Sequence, residues 1–254
     1  FYMHRVDSTQ DETETLKIIT HRHIAWITAL RYAMRTKKPW ETSYESIQKK
    51  EIFKYLTPEY ESPLEEEIKP HLSQEEFDFV MSFDNKPNAI ISLQSKHLRA
   101  LTDEKKLWDF SLLNLQQMLQ ELTALQGNSE RIKNFPYPKQ YGSIGYHFVH
   151  IFMWLLPMAI IPAFANMGED ISDTNPFIGA YFVWLNIPFT VIVIWVFNTM
   201  LRIGLAGENP FEGTANDVPI STISRGIEID LLQNLGEPQD QIPGQFPMKK
   251  DTQF

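Results

Sequence analysis

The chain has 254 residues and a formal net charge of −9, from 32 acidic residues against 23 lysines and arginines. Basic residues are neither in excess nor clustered on one stripe, which argues against a nucleic-acid-binding protein. The absence of cysteine excludes a disulfide framework and a thiolate metal site.

Residues 1–143 predict a polar, helical region. Apolar side chains recur every three or four residues from position 13 to 36, which predicts an amphipathic helix. Prolines divide residues 36–67 into loops and short turns, and we interpret the acidic run at 65–67 as a solvated face. Three arginines fall outside the apolar stripe of the first helix: Arg22, Arg31 and Arg35.

A capping motif marks the next helix. Ser73 and Glu76 have the spacing of a capping box, which predicts that a short helix begins after Ser73. Lys86-Pro87 is expected to end that helix, because proline disrupts the interior of a helix.

A heptad pattern predicts one continuous helix over residues 98–126, with Trp108 and four leucines along its seam. At about 100° per residue, Phe110 points about 160° away from that seam. A large aromatic side chain is therefore expected alone on a polar face. Its neighbours on that face are Asn114, Gln117 and Glu121.

Two uncharged runs, at residues 145–165 and 176–201, predict a transmembrane hairpin at 144–206. As a helix the first run is about 31 Å long, enough to cross a hydrocarbon core about 30 Å thick. The second run is longer than one perpendicular crossing needs, so we expect it to tilt or bend.

The charges beside the hairpin predict its orientation. The connector at 167–175 carries acidic residues and no lysine or arginine, whereas the other flanks are basic. Positively charged flanks stay in the cytoplasm, so the long polar regions are expected there.

His147 and His150 share one helix face and could form a metal or proton site. Their place near the interface favours ordinary hydrogen-bonded histidines.

Residues 207–236 predict a loop and an amphipathic helix. Pro219 fits a first-turn position, isoleucines and a leucine follow at helical spacing, and Gly236 is expected to end the helix. Residues 237–254 are rich in proline and glutamine and have little to bury. They predict a flexible or draping tail.

Several short stretches together resemble the bestrophins, in their bacterial branch, and the similarity extends roughly from Leu16 to Gly236. The loop after the hairpin resembles the loop after the fourth bestrophin membrane helix, through Glu208, Asn209, Pro210, Phe211, Asn216 and Asp217. The other stretches are Lys106-Leu107-Trp108-Asp109-Phe110, Glu130-Arg131-Ile132, Phe135-Pro136-Tyr137-Pro138, Leu155-Leu156-Pro157 and Arg225 to Gly236.

Bestrophins are homopentameric ion channels with four membrane helices per subunit. The resemblance implies an all-α membrane protein, a transmembrane hairpin with a helical cytoplasmic region, assembled as a ring. It implies passive conduction of chloride or monovalent cations in a bacterial inner membrane, with no enzymatic activity and no cofactor. The expected partners are the lipid bilayer, other copies of the chain and the permeating ions. Two further membrane helices, including the one that lines the pore neck, are expected before Phe1.

The resemblance assigns one pore residue in this chain. Phe110 falls where the family places an apolar residue at the cytosolic aperture, and several copies would form a hydrophobic ring that gates by dewetting. The alternative is that Phe110 is a buried contact with another subunit. Glu208, Glu212 and Asp217 are spaced apart, unlike the acidic run of the calcium-binding animal bestrophins, so no calcium site and no other metal site are expected.

Two other functions remain open from the residues alone. The chain could be a membrane-anchored scaffold, with the hairpin as anchor and the helical region as a docking module. A membrane metalloenzyme built on His147 and His150 is the weaker alternative, because membrane di-metal enzymes need several histidine clusters.

Overall fold

The computed structural model of the chain describes residues 10–38, 57–135, 139–206, 209–213 and 217–248. These residues contain helices and no β-strand, as the predicted all-α fold requires. They form two compact units, one from residues up to Phe135 together with those from Asn209 onward, and one between them. The predicted boundaries at 1–143, 144–206, 207–236 and 237–254 stay a prediction.

The first unit is arranged around one long helix, α1. It contains α1 (Gln10–Arg35), α2 (Pro58–Glu61), α3 (Leu64–Ile68), a 3₁₀ turn (Lys69–His71), α4 (Gln74–Met81), α5 (Lys86–Asp103) and α6 (Asp109–Asn134). Helix α1 packs against α3, α5 and α6. Its central side chains are almost fully buried, as are Ile68, Val80 and Ile90 of the surrounding helices.

The structure corrects two predictions about this unit: where α4 ends, and whether residues 98–126 form one helix. Helix α4 ends at Met81, before Lys86-Pro87. Pro87 instead lies in the first turn of α5, where a backbone N–H has no partner within the helix, so proline costs no hydrogen bond there. The capping box at Ser73 and Glu76 is confirmed, since each side chain accepts a hydrogen bond from the backbone of the other.

The continuous helix predicted over residues 98–126 is also wrong, because α5 ends at Asp103 and α6 begins at Asp109. Lys105 between them has a φ of +60°, a left-handed conformation that a helix cannot contain. The heptad seam continues through α6 alone. It holds Leu112, Leu115, Leu119 and Leu122 against the core.

The second unit is the hairpin, which contains α7 (Lys139–Ser172), α8 (Pro176–Tyr181), a 3₁₀ turn (Phe182–Leu185) and α9 (Asn186–Ala206). Two stretches of 29 residues, Ile144–Ser172 and Pro176–Gly204, are long and apolar enough to cross a membrane, and few of their side chains are buried. The second run is not one continuous α-helix, because a 3₁₀ turn separates α8 from α9; the expected tilt or bend stays a prediction.

The first unit is completed by α10 (Ile220–Leu235), which packs against α1. Gly236 ends α10 in a left-handed conformation with φ of +80°, as predicted. The described tail residues 237–248 drape over this unit: Lys17 pairs with Glu237, and Gln245 Nε2 donates to the Thr222 carbonyl at 3.2 Å.

Candidate functional site

Helix α6 has an inward face, which packs into the core, and an opposite, outward face, which is exposed to solvent. Its leucine seam packs into the core, whereas Phe110 on the opposite side is 73% exposed. Trp108 does not belong to the seam, because it precedes the helix and is 55% exposed. The predicted orientation of Phe110, away from the core, is therefore confirmed, while its role in a pore stays a prediction.

The turn between α5 and α6 fixes the position of Phe110. The backbone N–H groups of Lys106 and Leu107 both donate to the Leu101 carbonyl, at 2.8 and 3.1 Å. Leu107 is 4% exposed and anchors the turn in the core. Phe110 follows three residues later in the first turn of α6, so a buried residue and two hydrogen bonds determine where the exposed ring stands.

The loop that resembles a family motif is bound to the end of α1. Glu208 and Asn216 lie outside the described residues. Asn209 accepts a backbone hydrogen bond from Glu212 at 3.2 Å, and Pro210 accepts one from Val218 at 3.1 Å. Asp217 Oδ2 accepts from the Gly213 N–H at 2.8 Å.

Arg35 links this loop to the core. Its Nη1 donates to the Phe211 carbonyl at 2.9 Å. Phe211 also lines a small cavity of about 140 Å³ together with Ser129 of α6. Phe110 lies 19 residues from Ser129, about 28 Å along the helix at about 1.5 Å per residue. The structure thus brings the described loop residues together, but not Phe110, and the hydrogen bonds described in this loop are structural.

Sequence reasoning missed a buried charge cluster beneath that loop. Arg31 and Arg35 are each 3% exposed, although both fall outside the apolar stripe of α1. Glu59 of α2 lies between them, with Oε1 at 3.1 Å from Arg31 Nε and Oε2 at 3.5 Å from Arg35 Nε. Ser221 Oγ donates to Glu59 Oε1 at 2.7 Å. Burial lowers the pKa of Arg35, and the charge of Glu59 opposes that effect.

Two further acidic side chains pair with buried arginines of α1, and one of them corrects the sequence interpretation. Glu67, expected on a solvated face, pairs with Arg31 and accepts from Ser62 Oγ at 2.8 Å. Arg22 is also buried and pairs with Glu76. The sequence feature that could have indicated these ion pairs is the presence of three arginines in one long helix with acidic segments nearby in the chain. That pattern does not reveal which face is buried.

A pair of histidines lies on another side of α1. The Nδ1 atoms of His21 and His71 are 2.9 Å apart and the rings are stacked at 5.2 Å. They line a polar cavity of about 500 Å³ with Arg225 and Glu228 of α10. Burial lowers the pKa of His21, lowers that of His71 to about 4, and raises that of Glu228.

His150 makes an ordinary hydrogen bond within α7, and the favoured interpretation of His147 and His150 as hydrogen-bonded interfacial histidines stays a prediction. His150 Nδ1 donates to the Tyr146 carbonyl at 2.8 Å, and its ring lies 4.0 Å from that of Tyr146. Among the described residues, no group of three or more His, Cys, Asp or Glu side chains could hold a metal ion.

Comparison with known proteins gives the family. Residues 2–172 match the family model described as bacterial/fungal bestrophin protein. The chain belongs to the bacterial/fungal bestrophin family. Sequence relatives of this bestrophin are the voltage-dependent anion channel-forming protein YneE of Salmonella typhi, 28% identical over 68% of this chain and 52% of the relative, and its Escherichia coli K12 counterpart, 26% identical over 67% and 50%.

Solved structures agree with the bestrophin fold. The Klebsiella pneumoniae bestrophin homolog solved by Zn-SAD phasing is 21% identical, with a TM-score of 0.60 over 89% of this chain and 68% of that one. A tryptophan-to-alanine variant of that homolog has a TM-score of 0.66 at 20% identity, over 89% and 67%.

These matches confirm the resemblance, the helical membrane fold and the membrane location. The relatives are named as channel-forming proteins, a class that is not enzymatic, in agreement with the sequence interpretation. The chain spans about half the length of the curated relatives it matches.

Proposed function

We propose that this bestrophin is one subunit of a passive ion channel, in which identical copies surround a shared pore. The support is family membership together with the names of the relatives. Five copies are proposed from the family resemblance. The polar unit is assigned to the cytoplasmic side of a bacterial inner membrane, because the basic flanks of the hairpin would remain there.

The observation that carries the pore assignment is the exposure of Phe110. Its ring is 73% exposed at the start of a helix whose opposite face lies in the core. Turned toward a common axis, several such rings form an apolar constriction that controls conduction by excluding water. The same exposure would suit a contact between subunits, which the experiment below separates from the pore role.

The ion that passes is proposed to be a small inorganic anion, chloride foremost, because the relatives are named as anion channel-forming proteins. Monovalent cations are the alternative. An apolar ring at Phe110 gives no preference for either sign of charge, so the choice depends on charged groups elsewhere along the pore.

The test is ion flux from liposomes that contain the purified full-length protein. Chloride and potassium gradients are imposed separately, and single channels are recorded in lipid bilayers. Phe110→Ala is expected to raise conductance or change rectification, because a smaller side chain widens the apolar ring. Phe110→Leu keeps a bulky apolar ring and should change conduction less. Phe83→Ala removes another exposed phenylalanine of the same unit and is the matched control.

Three outcomes decide between the functions. Silent vesicles and a monomeric protein would reject the channel and favour the membrane-anchored scaffold. A conducting wild type with an unchanged Phe110→Ala variant would remove Phe110 from the pore. Dissociation of the Phe110→Ala assembly into monomers would assign Phe110 to the contact between subunits.

A further inference from the structure

The outward face of α6 carries one ionisable residue in line with Phe110. We propose that Glu121 is a specificity-determining residue of the channel: its copies form a ring of negative charge that enriches cations and depletes anions in the cytoplasmic part of the conduit, and so limits the preference for chloride proposed above. The inference rests on the proposed function, because it requires that the face bearing Phe110 line the conduit.

Helical periodicity places Glu121 on the same line as Phe110. At about 100° per residue, Glu121 lies about 20° from Phe110 around the helix axis. All residues within about 40° of Phe110 are exposed, whereas Leu119 and Gln126 on the opposite face are buried. The outward stripe consists of Phe110, Asn114, Gln117, Glu121, Ala124, Asn128 and Ile132.

The carboxylate of Glu121 is not neutralised within the described part of the chain, where it makes no hydrogen bond or ion pair. The residues one turn away on either side, Gln117 and Leu125, are uncharged. Glu130 of the same helix differs, because it accepts hydrogen bonds from Asn85 at 3.1 Å and Gln126 at 2.8 Å. Glu121 thus presents an unpaired carboxylate to solvent.

The distances along α6 separate this charge from the constriction. Glu121 is 11 residues from Phe110, about 16 Å along the helix. Arg131, the next charge on the outward surface, lies about 60° to one side and about 15 Å further along. Both separations exceed a Debye length of about 10 Å in 0.1 M salt, so Glu121 acts on the local concentration of ions rather than on the gate itself.

The size of the effect follows from screened Coulomb interactions. Five charges about 10 Å from an axis, in water at 0.1 M salt, raise the concentration of monovalent cations on the axis roughly fourfold. They lower that of monovalent anions by the same factor. Removal of the ring should therefore lower the cation-to-anion concentration ratio on the axis by roughly 10- to 16-fold, and the permeability ratio by at most that factor.

The test compares full-length wild type, Glu121→Gln and Glu121→Lys in planar bilayers. The reversal potential in a potassium chloride gradient gives the permeability ratio at 0.1 M and at 1 M mean salt. Glu121→Gln is expected to shift the reversal potential toward the chloride equilibrium potential, and Glu121→Lys to shift it further. Both shifts should shrink at 1 M, where the Debye length is about 3 Å. Glu130→Gln removes a carboxylate from the opposite face of α6 and should leave the ratio unchanged.

The outcomes separate this inference from the proposed function. A conducting wild type whose ratio is the same in Glu121→Gln and Glu121→Lys would overturn the role of Glu121 and leave the channel intact. Equal shifts in Glu121→Gln and Glu130→Gln, or shifts that are independent of salt, would also overturn it, because they would reflect altered structure rather than the field of a ring. Absence of conduction in the wild type would reject the proposed function itself.

Discussion

Helices α1 and α6 have the same length, 26 residues each, yet they place their charges oppositely. Helix α1 buries three arginines and pairs each with a glutamate of another segment. Helix α6 buries leucines on one face and leaves Phe110 and Glu121 in solvent on the other. The comparison indicates that the buried charges of α1 join segments distant in sequence, whereas the carboxylate of Glu121 on α6 faces solvent.

The strongest test of this comparison changes glutamate to glutamine at two positions: Glu59, which pairs with the arginines of α1, and Glu121 on α6. Glu59→Gln leaves Arg31 and Arg35 buried beside a neutral side chain, so we expect a loss of about 3–5 kcal/mol in the free energy of unfolding. Glu121→Gln removes an exposed and unpaired carboxylate and should change it by less than about 0.5 kcal/mol. Thermal unfolding of the full-length protein in detergent measures both.

Equal stability of Glu59→Gln and Glu121→Gln would show that the α1 cluster does not hold the unit together. Glu65→Gln, at an exposed position of the neighbouring helix α3, controls for the loss of a glutamate in this region. A variant at that position is expected to unfold like wild type.

The contrast also explains what the sequence could predict. The two faces of α6 follow from a leucine seam, because helical periodicity alone determines which side chains share a face. The capping box at Ser73 is equally local, since its two partners lie three residues apart. Such features need no knowledge of the tertiary structure.

Features that depend on distant segments could not be predicted. The partners Arg35 and Ser221 are 186 residues apart, and no local pattern specifies that they meet. The break before α6 was missed because helical spacing continues across it, while the left-handed Lys105 conformation depends on Leu107 inserting into the core. The sequence predicts which way Phe110 points but not what it does, because its neighbours in an assembled ring would belong to other copies of the chain.

The buried histidine pair, His21 and His71, makes the stability of the first unit depend on pH. Burial holds the pKa of His71 at about 4, below its value of about 6.5 in an unfolded chain. Between these values the unfolded chain binds a proton that the folded chain excludes, so the free energy of unfolding falls as pH decreases from about 6.5 to 4. His21, whose pKa burial also lowers, contributes in the same direction. Glu228 opposes it, because burial raises its pKa and the folded state takes up that proton first.

We expect His71 to contribute about 2–3 kcal/mol to this loss, since each pKa unit corresponds to about 1.4 kcal/mol. Unfolding midpoints measured from pH 7.5 to 4 should therefore fall less steeply in His71→Gln than in wild type. Lys17, Glu67 and Arg225 surround the pair and remain in both proteins. Parallel curves for wild type and His71→Gln would contradict the assignment.

The smallest effect concerns the loop that closes over the end of α1. Gly213 has a φ of +99°, and an added Cβ would lie 2.7 Å from Thr57 Cγ2 and 3.2 Å from Arg35 Nη1. Gly236 has a φ of +80° with no atom within 4 Å of such a Cβ. Gly236→Ala should therefore cost about 1 kcal/mol of backbone strain, and Gly213→Ala about 2 kcal/mol, since crowding against Thr57 and Arg35 adds to the same strain. If the two alanines lower the unfolding midpoint equally, the crowding of residue 213 against Thr57 and Arg35 contributes nothing, and the packing of the loop against α1 is contradicted.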